Sequence, residues 1–352
     1  MCYTLIWVAP QKFIIAFVPL REVEGRKLFL LSQNKNKEDN MKTQSFNEIE
    51  NLTKEYSMIP ICKEIYADVI TPIQLLRKME AFDKNFFLLE SVEGGEKWAR
   101  YSFLGYEPVL HITCKDGKVT QKSGEIEHTV TVDPMDALRQ LLHKYKSPKI
   151  EGMPTFTGGF VGYFGYEMIG YAEPKLNIKD SEFDDYNLML FDKVIVYDHL
   201  KQKIMVIANM KSKDGIQGYN TALLEIEKMI ALINDQRKLP VLEADKDVKF
   251  KCNVTKEEYC RMIEKTKHYI KEGDIFQGVI SRRFVADYKS SLINAYRVLR
   301  TTNPSPYMYF IQSDDLQIAG ASPETMVKLV DGKLTTFPVA GTRPRGVNDE
   351  QD

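Results

Sequence analysis

Two hydrophobic patterns alternate along this chain, one with helical spacing and one made of short, dense apolar runs. ITPIQLLRKMEAF places Ile73, Leu76 and Met79 at helical spacing, behind Thr71 as N-cap and Pro72 at the first helical position. DPMDALRQLLHKY repeats the arrangement with Asp133 as the cap. YNTALLEIEKMIALIND has an amphipathic helical period. VTKEEYCRMIEKTKHYIKEGD opens on a capping box, Thr255 with Glu258, and stops at Gly273. SLINAYRVLRTT predicts one more helix.

Between these lie strand signals. NFFLLES is one, and VLHITCKDGKVTQ is a pair turning at Asp116-Gly117. NLMLFDKVIVYDHLKQKIMVIAN predicts two long strands turning near His199 to Gln202. IFQGVISRRFVA, YMYFIQ, LQIAGAS and KLVDGKLTTF complete the set. Many strands are consecutive, so strict βαβ alternation is excluded. The expected class is α+β, with large mixed or antiparallel sheets in an αβ sandwich and helices packed on them.

The polar stretch QRKLPVLEADKDVKFK, residues 236–251, has no clear period and is expected to be a linker. At the N-terminus, MCYTLIWVAPQKFIIAFVPL is apolar, but Pro10-Gln11-Lys12 divides it into runs far below the ~20 residues needed to span a bilayer. It also lacks the basic n-region of a signal peptide. Residues 1–40 are expected to be an upstream extension outside the fold, with an ordinary start at Met41.

Composition changes this picture little. Of 352 residues, 43% are hydrophobic and 28% charged, and the formal net charge is −1. A packed globular protein follows, without the basic bias of a nucleic-acid binder. The five cysteines (Cys2, Cys62, Cys114, Cys252, Cys260) form no CxxC pair, and the five histidines are scattered. That predicts free thiols in a reducing, cytoplasmic compartment and no zinc site.

Four segments carry candidate chemistry. GGFVGYFGYE interleaves glycines with aromatic rings, which suits a close-packed strand better than a phosphate nest, since neither Gly-Lys-Ser/Thr nor GxGxxG is present. LLES, Leu88 to Ser91, ends a strand. NPSPYM holds two prolines in a rigid turn beside a Tyr-Met pair that can floor an apolar pocket. ASPE and PVAGTRPRG supply Glu324, as a general acid/base or a helix N-terminal acid, and a loop able to meet an anion. In that loop Gly341 admits backbone approach, Thr342 offers a hydroxyl, and Arg343 and Arg345 suit carboxylates.

Taken together, GDIFQGVISRRF, NPSPYMYF, ASPETMVKL and PVAGTRPRG, with LLES and GGFVGYFGYE upstream, resemble anthranilate synthase component I in order and spacing from about Glu48 onward. The resemblance implies an N-terminal domain over 41–235 and part of a chorismate-binding domain over 252–352. It implies a lyase in tryptophan biosynthesis that makes anthranilate and pyruvate from chorismate and ammonia. Mg²⁺ is the implied cofactor, with its ligands expected outside this chain. A glutamine amidotransferase subunit is the implied partner, in a heterotetramer, with no nucleic acid and no membrane. By the same analogy Glu324 lies near the reacting ring, and Gly341 and Thr342 lie against the ring carboxylate. Glu90, Ser91, Pro306, Tyr307 and Met308 would enclose tryptophan as feedback inhibitor.

The related aminodeoxychorismate synthases often carry a nucleophilic lysine where this chain has Ala340, and alanine has no such chemistry. The family's magnesium-binding glutamates and catalytic histidine follow the loop, so this chain is expected to be inactive by itself. A non-catalytic fragment that binds tryptophan or the amidotransferase is the other expectation.

Overall fold

The computed structural model describes residues 4–7, 13–19, 43–91, 100–176, 178, 181–241, 245, 248–330, 332–338, 346–348, 350 and 351. Two compact units emerge. The larger is built from 1–8, 12–244 and 290–335, and the smaller chiefly from 245–289 and 336–352.

In the larger unit, the capping signals start helices where local chemistry requires. Helix α1 is Phe46–Ile49. Helix α2, Pro72–Glu80, begins behind Thr71, whose side chain accepts from the Gln74 amide. Helix α3, Pro134–Lys144, begins behind Asp133, which accepts from Met135 and Asp136. Helices α4 (Ile169–Ala172), α5 (Gly215–Asn234) and α7 (Ile293–Thr302) complete this unit.

Two antiparallel sheets form its centre. The first runs β18 (Lys333–Thr335), β17 (Thr325–Val330), β1 (Thr4–Trp7), β2 (Phe13–Pro19), β9 (Gly159–Gly165), β10 (Tyr186–Phe191), β6 (Leu110–Lys115), β7 (Lys118–Ser123), β8 (Ile126–Thr131). The second runs β16 (Leu316–Ser322), β15 (Tyr307–Ser313), β4 (Asn85–Glu90), β5 (Tyr101–Tyr106), β11 (Lys193–Asp198), β12 (Lys203–Lys211), β3 (Met58–Tyr66). Every pairing among the described residues is antiparallel.

Alternation along the strands divides the core into three apolar layers. Phe87, Leu89, Val161, Tyr163, Met189, Phe191, Val194 and Tyr309 pack between the two sheets. Phe86, Leu88, Ile195 and Phe310 face the other way, onto Leu76 of α2, Ile226 of α5 and Tyr296 of α7. Leu110, Ile112, Phe160, Tyr186 and Leu188 meet Leu138 and Leu141 of α3. The order is therefore helix, sheet, sheet, helices, which is the expected sandwich.

The expected close packing of GGFVGYFGYE is present in β9. A Cβ on Gly162 would lie 2.0 Å from the Asn187 carbonyl oxygen on β10, so no larger residue fits there without a backbone shift.

Three expectations differ from the structure. NLMLFDKVIVYDHLKQKIMVIAN forms three strands, because the chain leaves the first sheet at Phe191 and enters the second at Lys193. Both strands are buried on both faces, so the apolar run continues through the crossing. The crossing is held at Asp192, whose carbonyl accepts from the Asn209 amide at 2.8 Å and from Asn209 Nδ2 at 2.9 Å. Residues 1–40 are not wholly outside the fold: β2 pairs with β9 from Phe13↔Gly165 to Pro19↔Gly159, and β1 pairs with β17. IFQGVISRRFVA is mostly not a strand. Only Phe284–Val285 (β14) pairs, with Lys251–Cys252 (β13), and Phe276 is 98% exposed. A strand lasts only as far as its partner does.

In the smaller unit, α6 (Lys256–Glu272) has the predicted Thr255/Glu258 box and ends at Gly273 in the left-handed conformation, φ +83°. Among the described residues no helix is long and apolar enough to cross a membrane.

Candidate functional site

Glu90 is the last residue of β4. It lies opposite Met308 on one side and Ser102 of β5 on the other. Alternation after Phe86 and Leu88 turns its carboxylate toward the helices, where its side chain is only 3% exposed. A carboxylate so placed requires compensation. Helix α7 provides it from two residues one turn apart. The Tyr296 hydroxyl donates to Oε1 at 2.8 Å, and Arg300 Nη2 donates to Oε2 at 2.9 Å. Arg300 Nε also sits against Oε1, in ion contact rather than in an aligned hydrogen bond. Burial, and next the Glu90 charge, push the Tyr296 phenol well above its usual pKa, so it remains a donor.

The polar seam continues across the sheet end. Ser102 Oγ and His199 Nε2 are 2.7 Å apart. Burial holds the His199 pKa down, against the opposing pull of Glu90 and Asp198. Asp198, at the end of β11, accepts from Arg100 Nη2 at 2.7 Å and from the amides of Leu200 and Lys201 at 3.1 and 3.0 Å. Burial would raise its pKa, but the Arg100 bond and these amides outweigh it, and the carboxyl lies below the usual range.

The other expected pocket residues adjoin this seam. Ser91 follows β4 and is half-buried. The turn Asn303–Pro306 contains Ser305, buried with its hydroxyl toward the Asn303 carbonyl at 3.4 Å. It delivers a half-buried Pro306 and then Tyr307, the first residue of β15. Tyr307 packs against the cluster between the sheets, and its hydroxyl meets that of Thr325. Thus the end of β4 and the start of β15 are hydrogen-bonded neighbours, and the five residues come together. They do not share one face: Glu90 and Met308 look toward the helices, Tyr307 toward the facing sheet.

Glu324 is exposed in the connection between β16 and β17, where its carbonyl accepts from Ser322 Oγ at 3.3 Å. It is not at a helix N-terminus, which removes that part of the sequence reading. Gly341 and Thr342, with Ala340, Arg343 and Arg345, lie outside the described residues.

Sequence reasoning missed Tyr296, Arg300, Ser102, His199, Arg100 and Asp198. One signal was available for the first two: Tyr and Arg four apart on a predicted helix form a single polar spot on an otherwise apolar face. Nothing local said which acid they meet.

A separate cavity of about 470 Å³ is lined by residues including Phe82, Tyr106, Lys193, Glu225 and Lys228, and none of the candidate residues reaches it. Its Lys193 is paired with Glu107 at 2.7 Å and Glu225 at 3.2 Å. Among the described residues no group of three or more His, Cys, Asp or Glu is placed to hold a metal ion.

Residues 84–352 match the chorismate binding enzyme family. The chain belongs to that family. Among curated relatives it is 38% identical over 319 residues to anthranilate synthase component 1 of Acetivibrio thermocellus, covering 88% of this chain and 64% of that one. It is 37% identical to the Aquifex aeolicus protein of the same name, with the same coverage. The chain therefore spans just under two thirds of the length of these relatives. The crystal structure of anthranilate synthase component I from Streptococcus pneumoniae TIGR4 superimposes with a TM-score of 0.59 at 29% identity, covering 77% of this chain and 60% of that one.

Proposed function

We propose that this chain belongs to component I of an anthranilate synthase, which converts chorismate and ammonia to anthranilate, pyruvate and water. The observation that carries the reading is the ordered set LLES, GGFVGYFGYE, NPSPYM, ASPE and PVAGTRPRG in a chain 38% identical to a protein of that name. Ammonia adds to the chorismate ring, the ring hydroxyl leaves as water, and loss of pyruvate makes the ring aromatic. Glu324 is assigned beside the reacting ring, and Gly341 and Thr342 at its carboxylate. Mg²⁺ is the proposed cofactor, a glutamine amidotransferase subunit the proposed ammonia source, and the cytoplasm the proposed location.

Glu90, Ser91, Pro306, Tyr307 and Met308 form the proposed tryptophan pocket, supported by the meeting of β4 and β15 at those residues. Aminodeoxychorismate formation is disfavoured by Ala340, which cannot attack the ring as lysine can.

The reaction separates the two chemistries, because only anthranilate formation releases pyruvate. The protein containing this chain, given chorismate, an ammonium salt and Mg²⁺, is expected to release one pyruvate per chorismate consumed. Chorismate loss without pyruvate refutes the assignment. Ser91→Phe is expected to keep that turnover while losing inhibition by tryptophan, and inhibition that survives the substitution refutes the pocket.

A further inference from the structure

We propose that Arg300 and Tyr296 are positioning residues of the tryptophan pocket and that they act through Glu90. Glu90 itself is the fixed point of the pocket rather than the group that receives the ligand's ammonium. The inference rests on the tryptophan reading above and deepens it.

Three observations carry it. First, the carboxylate is already engaged. Arg300 meets both of its oxygens, Tyr296 donates to one of them, and Met308 lies directly opposite on β15. With a side chain 3% exposed and both oxygens already contacted, Glu90 offers an ammonium ion little open surface while Arg300 stays in place.

Second, the bond closes a ring of structure. From Arg300 the chain runs through the end of α7, the Asn303–Pro306 turn and Tyr307 to Met308. Met308 is laddered to Glu90, and Glu90 returns to Arg300. Ser91, next to Glu90, and Pro306-Tyr307, where the turn enters β15, are the two walls of the proposed pocket. Their separation is set by this ring.

Third, the ring is anchored in packed structure. Tyr296 is fully buried and stacks edge-on to Phe310 of β15, with centroids 5.9 Å apart. Motion of Arg300 relative to Glu90 therefore moves α7 against the start of β15, where the turn emerges.

The test is a double-mutant cycle on the dissociation constant for L-tryptophan, measured by calorimetric titration well below each variant's Tm. The proteins are wild type, Glu90→Gln, Arg300→Gln, the double variant, and Arg300→Lys as a gentler change. Each single Gln variant is expected to weaken tryptophan at least about tenfold, with the double variant no weaker than either, because the pair acts as a unit. Arg300→Lys, which keeps the charge and loses the fork, is expected to fall between wild type and Arg300→Gln.

Multiplying losses in the double variant overturn the proposal, since they make Glu90 an independent contact to the ammonium. So does a lowered Tm with unchanged affinity in Arg300→Gln or Arg300→Lys, which makes the bond purely a fold contact. A wild-type chain that binds no tryptophan overturns the underlying pocket reading instead, and the wild-type titration alone identifies that case.

Discussion

Asp198 couples the fold to acid. Its carboxyl is 1% exposed and held by Arg100 and two amides. Its folded pKa is depressed, from an unfolded value of about 3.9. A depressed carboxylate contributes stability that is present above the unfolded pKa and lost as pH falls through the folded one. Asp198→Asn is expected to lower Tm at pH 7, with the gap to wild type narrowing as the pH falls below about 4; thermal scans from pH 7 to pH 3 read it. A gap that stays constant across that range contradicts the assignment.

At Gly162 the constraint is space. An added methyl would overlap the Asn187 carbonyl of the neighbouring strand, so Gly162→Ala is expected to cost about 1–3 kcal/mol in urea unfolding. The tight spacing behind this was visible in the alternation of glycines with rings. The Glu90–Arg300 pair was not, because its members are 210 residues apart and are brought together only by strand pairing.

At the scale of elements, capping made the sequence legible. Thr71, Asp133 and Thr255 each start a helix where a side chain can accept an orphan amide, and that chemistry is local. The end of α5 is different. It is capped from another helix, by Lys78 of α2, whose ammonium donates to the carbonyls of Leu232 at 3.0 Å and Ile233 at 3.1 Å, and also to that of Asp235. Burial lowers the Lys78 pKa, yet the three carbonyls and the helix end hold the ammonium there. Lys78→Met keeps the apolar stem and removes the donor. It is expected to cost about 1–3 kcal/mol and to speed amide exchange in the last turn of α5. Unchanged exchange at residues 230–234 contradicts the capping role. No local rule predicts such a cap, just as none marks Asp192 as the place where the chain changes sheets.

Across the whole molecule, the α+β class was readable because consecutive strand runs exclude a doubly wound sheet. The order of strands was not, since β15 joins β4 across more than two hundred residues and β1 and β2 enter a sheet whose other members follow much later. The family followed from ordered motifs, each modest alone and jointly specific. The proposed placement of Gly341 and Thr342 at the substrate rests on sequence, because both lie outside the described residues. In the proposed reading Ala340, beside them, is what disfavours the lysine-dependent chemistry. The most direct measurement is chromatography of the product formed from chorismate, an ammonium salt and Mg²⁺ by the protein containing this chain, against authentic anthranilate and 4-amino-4-deoxychorismate. The account predicts anthranilate, with the amine ortho to the carboxylate; accumulation of 4-amino-4-deoxychorismate contradicts it.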